Sequence, residues 1–417
     1  MNDIRIDFQT LTPLWTGGVE RKSDQIRETG LIGSLRWWYE GIVRGMGGYA
    51  CWLDSNGKST CQFDVNKYYT GRSQCRRETN LIAESGLCPV CQFFGATGWK
   101  RRFRLEVTGL ATQPLFFMAS RNVYQAAGNW LWRMFGGEAI GGTRTGRGAN
   151  VKFEFRTQVI WGENATLHFF PLGLDAEEVM ARILFLMDTI ARYGGLGAKT
   201  QNGFGQIKIT SDLNADLIKK GRDLIQKDVK IYKQWVGKTQ DPDWKPDTEL
   251  FNLKNFFSRT YELIGAERYI EGLREVGTAW TDYKRYYVPC AFDIRYKSQQ
   301  RNPFTGQGRD FGLRPWFRTQ WGDEVAQWLF GRSDVRSDEQ RSAGRIRVSH
   351  LYRPTPGGSW NLKIWGDVPS ASQKAKRQPT LKEVVDIVDE FISGQNGMFP
   401  DSRVVAEFNF EKEVMGQ

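Results

Sequence analysis

Gly194-Gly195-Leu196-Gly197-Ala198-Lys199-Thr200-Gln201-Asn202-Gly203-Phe204-Gly205 carries five glycines and one lysine in twelve residues, and what flanks it decides how the chain is read. Upstream, Val179, Ile183, Met187 and Ile190 recur at helical spacing, Asp175 stands at the N-cap, and Glu177 and Glu178 suit the positive end of a helix dipole. Gly194-Gly195 stops that helix, and residues 206 to 210 read as a strand. The order is therefore helix, glycine-rich loop, strand. A Walker phosphate loop needs strand, loop, then helix with Gly-Lys-Ser/Thr at its start, so that motif is excluded. Backbone N–H groups of such a loop can face phosphates, with Lys199 adding charge. A flexible connection between helix and strand is the plain alternative.

Working outward, Ile4, Ile6 and Phe8 alternate with polar residues and predict a strand over 3–10. Residues 30–46 predict a helix with Ile32, Leu35, Tyr39, Ile42 and Met46 on one apolar face, ended by Gly47-Gly48. Strands follow at about 103–107, 151–160 and 165–171. The order strand, helix, strands, helix, strand is that of a βαββαβ, ferredoxin-like or RRM-type unit, so the fold class expected is α+β. After a mainly helical connection the order recurs, with strands at 286–296, 344–352, 360–366 and 402–410 and helices at about 322–330 and 380–393. Leu35-Arg36-Trp37-Trp38 finds an echo in Leu313-Arg314-Pro315-Trp316, and Phe94-Gly95 in Phe330-Gly331, which supports duplication. The expected organisation is a first unit over 1–212, a helical connection over 213–280 and a second unit over 281–417. Residues 366–379 read as an exposed loop.

The chain has 417 residues, a net charge of +11 and a pI of about 9.3, a balance that favours partners bearing phosphates. Sixteen Trp and 26 Phe beside 58 Lys and Arg supply the stacking faces and cations of single-stranded nucleic-acid binding, although large aromatics are mostly core. The N-terminus shows neither a basic region nor an apolar one of signal-peptide type, and no run reaches the ~18 apolar residues of a membrane helix. A cytoplasmic protein is expected.

Leu31-Ile32-Gly33-Ser34-Leu35-Arg36-Trp37-Trp38, Cys88-Pro89-Val90-Cys91-Gln92-Phe93-Phe94-Gly95-Ala96-Thr97-Gly98-Trp99 and the glycine-rich loop before the last strand of the first unit together resemble the RAMP superfamily of CRISPR proteins. Within it they resemble the first-numbered RAMP subunit of the type III-B Cmr effector complex. The resemblance implies two ferredoxin-like units, binding of RNA at the end of the crRNA-bearing assembly remote from its 5′ tag, help in capturing target RNA, and other Cmr subunits as partners. It covers most of the first unit.

Read from the residues alone, Ser34 and Arg36 fall at what looks like the first turn of a helix, a natural phosphate seat, while Arg36 has a surface ion pair as its plain alternative. Either Trp37 or Trp38 offers a stacking face, the other being core. From Lys100 to Arg156 ten Lys or Arg face three Glu, and within this run Gly141-Gly142-Thr143-Arg144-Thr145-Gly146-Arg147-Gly148 presents two guanidiniums on a glycine-rich loop. A solvated hairpin loop is the alternative there. The RNA path expected joins Ser34, Arg36, Trp37, Arg144, Arg147, Gly195, Gly197, Lys199 and Gln201. Residues 285–353 extend a basic track more weakly through Arg301, Arg309, Arg314, Arg345 and Arg347.

Cys88 and Cys91 have the two-residue spacing of a zinc knuckle, and a closed tetrahedral site needs two more ligands. Cys75 with Cys61 or Cys51 completes a four-cysteine set, the preferred one being Cys61, Cys75, Cys88 and Cys91; unliganded thiols and a redox pair remain the alternatives. Zinc there would be structural, since four thiolates leave no position for water. Cys290 reads as a core residue of a strand. His168 and His350 sit far apart with no nucleophile motif, and choosing Asp54, Asp64 or Asp310 as a catalytic carboxylate would be arbitrary. The chain is therefore expected not to be an enzyme. A metal-dependent endoribonuclease of the same superfamily is the second hypothesis, and a structural adaptor contacting only proteins the third.

Overall fold

The computed structural model describes residues 4–17, 23–51, 61–74, 78–120, 152–173, 175–236, 250–275, 287–288, 290–296, 311–331, 343–369 and 378–417. Strand β1 (Ile4–Thr10) is followed by helix α1 (Glu28–Gly45), short helices α2 (Val65–Ser73), α3 (Glu78–Glu84) and α4 (Pro89–Phe94), strand β2 (Phe103–Thr108), ribbon β3 (Ala111–Ser120) and β4 (Lys152–Trp161), and strand β5 (Ala165–Pro171). Helix α5 (Ala176–Tyr193), the glycine-rich loop and strand β6 (Ile207–Ile209) close the unit, and helix α6 (Ala215–Val236) packs on α5. The sheet is antiparallel in the order β2-β5-β1-β6. Along β1 the pleat buries Ile4, Ile6 and Phe8 against the helices and leaves Arg5 and Asp7 outside.

Strand β7 (Phe256–Glu262) opens the second sheet. After it come α7 (Ala266–Glu275), β8 (Tyr287–Val288), α8 (Ala291–Arg295), α9 (Leu313–Trp321), α10 (Asp323–Phe330), β9 (Arg347–Val348), β10 (Leu351–Tyr352), β11 (Asn361–Asp367), α11 (Leu381–Ser393) and β12 (Arg403–Glu407). The order is β12-β7-β11-β10-β8, with β9 also on β11. In both sheets the last strand lies beside the first and the first beside the strand preceding the last helix. Thr380 and Glu383 form a reciprocal capping box that starts α11.

The structure is α+β, and it departs from the sequence reading at several places. Phe256–Glu262, inside the span expected to be a helical connection, is a central strand of the second sheet. Its residues do not alternate because both faces are covered: Phe256 joins the first core, while Phe257 and Tyr261 join the second. The segment 286–296 forms two strand residues and then a helix, so Cys290 is a buried helix N-cap and no strand residue. Helix α1 begins at Glu28, and its buried face is Leu31, Leu35, Trp38, Tyr39 and Ile42, with Ile32 and Met46 half-buried at its margin. Asp175 stands at the N-cap of α5, but its side chain makes no capping hydrogen bond. Asp64 is a helix cap, accepting from the Lys67 N–H at 2.9 Å. Asp54 and Asp310 lie outside the described residues. Among the described residues no helix is long and apolar enough to cross a membrane.

Candidate functional site

The glycine-rich loop folds back on the first unit and reaches the second. Trp38 Nε1 donates to Gly195 O at 3.0 Å, the Gly197 N–H to Ser34 Oγ at 2.9 Å, and the Ala198 N–H to Trp15 O at 2.7 Å. The Leu196 N–H bonds Gly205 O at 2.8 Å, and the Gly205 N–H bonds Pro13 O at 2.8 Å. From the second unit, Arg295 Nη1 donates to Gln201 O at 2.9 Å and the His350 N–H to Gly203 O at 3.3 Å. A Cβ on Gly203 would come within 2.5 Å of His350 Nδ1, so glycine is what lets the units close at this point. The expectation that the loop's N–H groups present themselves to phosphate is corrected for Leu196, Gly197, Ala198 and Gly205, which donate inside the protein. The expected phosphate seat at a helix start is corrected too: Ser34 lies past the first turn of α1.

What the loop does build is a cavity of about 390 Å³ at the junction. Gly30, Gly33, Ser34 and Trp37 of α1 form one wall, Gly197 through Gln201 another, and Arg347 of β9 the third. No carboxylate or imidazole is among these residues. Lys199 holds a left-handed backbone (φ 53°) with its ammonium 3.5 Å from the centre of the Trp15 ring, a cation–π contact. The Arg347 guanidinium lies 4.8 Å over Trp37 and 4.6 Å over Trp365. Arg345 and Arg347 share one carboxylate, Asp367, at 2.8 and 3.8 Å. Burial pulls Arg347 down to about 10, against the opposing pull of Asp367. Two cations against one buried carboxylate leave positive charge beside the cavity, which suits an anionic ligand.

Of the residues expected on one path, Ser34, Trp37, Gly197, Lys199 and Gln201 meet at this cavity, while Gly195, in the same loop, is not among its lining residues. Arg144 and Arg147 lie outside the described residues, as do Arg301 and Arg309. Trp37 is not an open stacking platform, because Phe251 stacks on it at 3.7 Å and Arg347 covers it as well. Arg36 turns away: Nη2 donates to Cys91 Sγ at 3.3 Å, Nη1 to Gly95 O at 3.0 Å, and Nε to Glu40 at 3.2 Å. Arg347 counted in the sequence only as part of a basic track, since nothing local marks a residue whose partners come from α1 and β11.

The Sγ atoms of Cys51, Cys61, Cys88 and Cys91, all buried, lie within 4.8 Å of one another and could hold a metal ion. Cys75 lies outside the described residues, and the fourth thiol is Cys51. Cys51 Sγ and Cys91 Sγ are 3.3 Å apart, well beyond the roughly 2.05 Å of a disulfide. A tetrahedral tetrathiolate with metal–sulfur bonds of ~2.3 Å has sulfur–sulfur edges of about 3.8 Å, and the quartet's separations bracket that value, from 3.3 Å to no more than 4.8 Å.

An antiparallel α+β unit with a glycine-rich loop between its last helix and last strand is the class that fold and site define. Residues 7–208 match the model of the RAMP superfamily. Cmr1 from Pyrococcus furiosus aligns over 100% of this chain and 97% of its own at 12% identity and a TM-score of 0.35. A chain of the type III-B Cmr-beta complex with cognate target RNA, AMPPnP and single-stranded DNA aligns over 93% and 98% at 13% identity and a TM-score of 0.39. A chain of Cmr-beta with cognate target RNA alone aligns over the same shares at 14% identity and a TM-score of 0.35. Comparison with curated protein sequences gives no match.

Proposed function

We propose that the chain is an RNA-binding subunit of a type III-B CRISPR effector complex, built from two ferredoxin-like units, that helps capture target RNA at the crRNA 3′ region. The observation that carries the reading is the cavity lined by the glycine-rich loop with Lys199 and by Arg347, with no carboxylate among its described lining residues. Phosphates of single-stranded RNA are the ligands such a cavity suits, with affinity set largely by counterion release. The motifs around Ser34 and Cys88 support the Cmr assignment, and with it crRNA and the other Cmr subunits as partners in the cytoplasm. In this reading the subunit holds RNA without cutting it. The four cysteines hold a structural zinc: buried thiols at these separations suit a closed tetrathiolate shell, and zinc there would fasten the segments bearing Cys51, Cys61 and Cys88-Cys91.

The test is binding of a fluorescent single-stranded RNA to the purified chain, followed by anisotropy across a salt titration. Saturable binding that weakens log-linearly with salt is expected. No binding at low salt would overturn the proposal, and metal-dependent cleavage abolished by one Asp→Ala change would replace it with the nuclease reading.

A further inference from the structure

The cysteine quartet comes with a cation whose position has its own explanation. Arg36 and Arg44 flank a single carboxylate, Glu40, at 3.2 and 3.4 Å on the same helix. That trio carries one positive charge more than it neutralises, in a half-buried place. The surplus points at sulfur: besides its 3.3 Å bond to Cys91 Sγ, Arg36 Nη2 lies 3.7 Å from Cys51 Sγ. The other two edges of the guanidinium are fixed, one by Gly95 O and one by Glu40, so its aim is set by α1 and by the turn after α4. The Cys88 N–H points at a third sulfur, Cys61 Sγ, at 3.4 Å. Neutral thiols need no such convergence of a guanidinium and an amide. Four thiolates around a divalent ion carry a formal charge of two minus, and a buried dianion requires compensation from donors just outside the ligand shell.

We infer that Arg36 is a positioning residue of the metal centre: it neutralises a tetrathiolate that holds a thiophilic divalent cation of the zinc class, and so sets how tightly that ion is held. This assigns Arg36 to metal retention and removes it from the RNA path. It rests on the zinc reading of the cysteines and needs nothing from the RNA reading.

The experiment uses the full chain grown with zinc and purified under reducing conditions. Metal content is measured by mass spectrometry, affinity by competition with a chromophoric chelator, and ligand geometry by the visible spectrum after cobalt(II) exchange. About one zinc per chain and the intense bands of tetrahedral cobalt thiolate are expected of the parent chain. Cys91→Ser should lose the ion. Arg36→Met should keep the tetrahedral spectrum while binding roughly 10- to 100-fold more weakly, the range for lost partners outside the ligand shell, and Arg36→Lys should recover part of that loss. A parent chain that binds no zinc overturns the zinc reading and the inference together. Full zinc in the parent with unchanged affinity in Arg36→Met overturns the inference alone. Should Arg36→Met fail to fold, Arg36→Lys decides: affinity equal to the parent rejects the role of the guanidinium.

Discussion

The two Phe-Gly corners make the most instructive comparison in the molecule. Phe94-Gly95 ends α4 with Gly95 at φ 88°, ψ 160°, and Phe330-Gly331 ends α10 with Gly331 at φ 88°, ψ 157°. This region of backbone space is essentially reserved for glycine. Each corner is held by an arginine on a carbonyl: Arg36 on Gly95 O at 3.0 Å, Arg295 on Phe330 O at 3.1 Å. The remaining bonds of those arginines differ. Arg36 turns inward to cysteine sulfur, whereas Arg295 reaches across to Gln201 O in the glycine-rich loop. One corner closes a site within its own unit, and its counterpart ties the two units together. The two corners thus share a backbone shape while the attached side chain serves a different task in each.

If the second corner serves the junction, crowding the junction should be the most damaging change. Gly203→Val, which places carbon 2.5 Å from His350 Nδ1 and 2.6 Å from Ala291 Cβ, should cost about 3 kcal/mol in urea unfolding. An unaltered midpoint would break the comparison. Lys363 probes the same junction with opposite sign. It is buried on β11, its Nζ donates to Ala191 O of α5 at 3.0 Å, and burial lowers it to about 7. Below pH 7 the folded protein carries that buried charge at full cost. Between pH 7 and the ordinary lysine range the unfolded chain binds the extra proton, so the penalty fades as pH rises. Lys363→Met should therefore stabilise by roughly 2 kcal/mol at pH 6 and by less at pH 9, as read from thermal melts at both values.

Arg347→Met should weaken RNA binding about tenfold and lower the salt slope by about one, while Arg318→Met, an exposed change on α9, should do neither. Equal effects would remove the second unit from the groove. The smallest change separates wall from fastening: Ser34→Ala loses the bond from the Gly197 N–H and should cost about 1 kcal/mol in stability.

Much of the first unit was legible because β1, β2 and β5 each have one dry face, so alternation at Ile4, Ile6 and Phe8 or at Phe103 and Leu105 marks them directly. Strand β7 was not, because neighbouring residues enter different cores and the period-2 signal disappears. The glycine-rich loop was legible as a place where function gathers, while the direction of its N–H groups depends on Trp15, Pro13 and Ser34, which are distant in sequence. Cys88 and Cys91 could be paired from their two-residue spacing. With Cys75 taken as the third ligand, Cys61 was preferred to Cys51, and spacing could not show that Cys51 and Cys61 both join the pair, since irregular intervals say nothing about how the intervening chain folds back.

The split loyalty of β7 also governs how the protein comes apart. Phe256 packs with Trp38 and Trp365 on one side of the strand, and Phe257 with the helices of the second unit on the other. Neither half can melt without stripping a face from the sheet they share. A calorimeter should accordingly record one sharp endotherm for the whole chain, the behaviour of a single cooperative body assembled from a repeated plan.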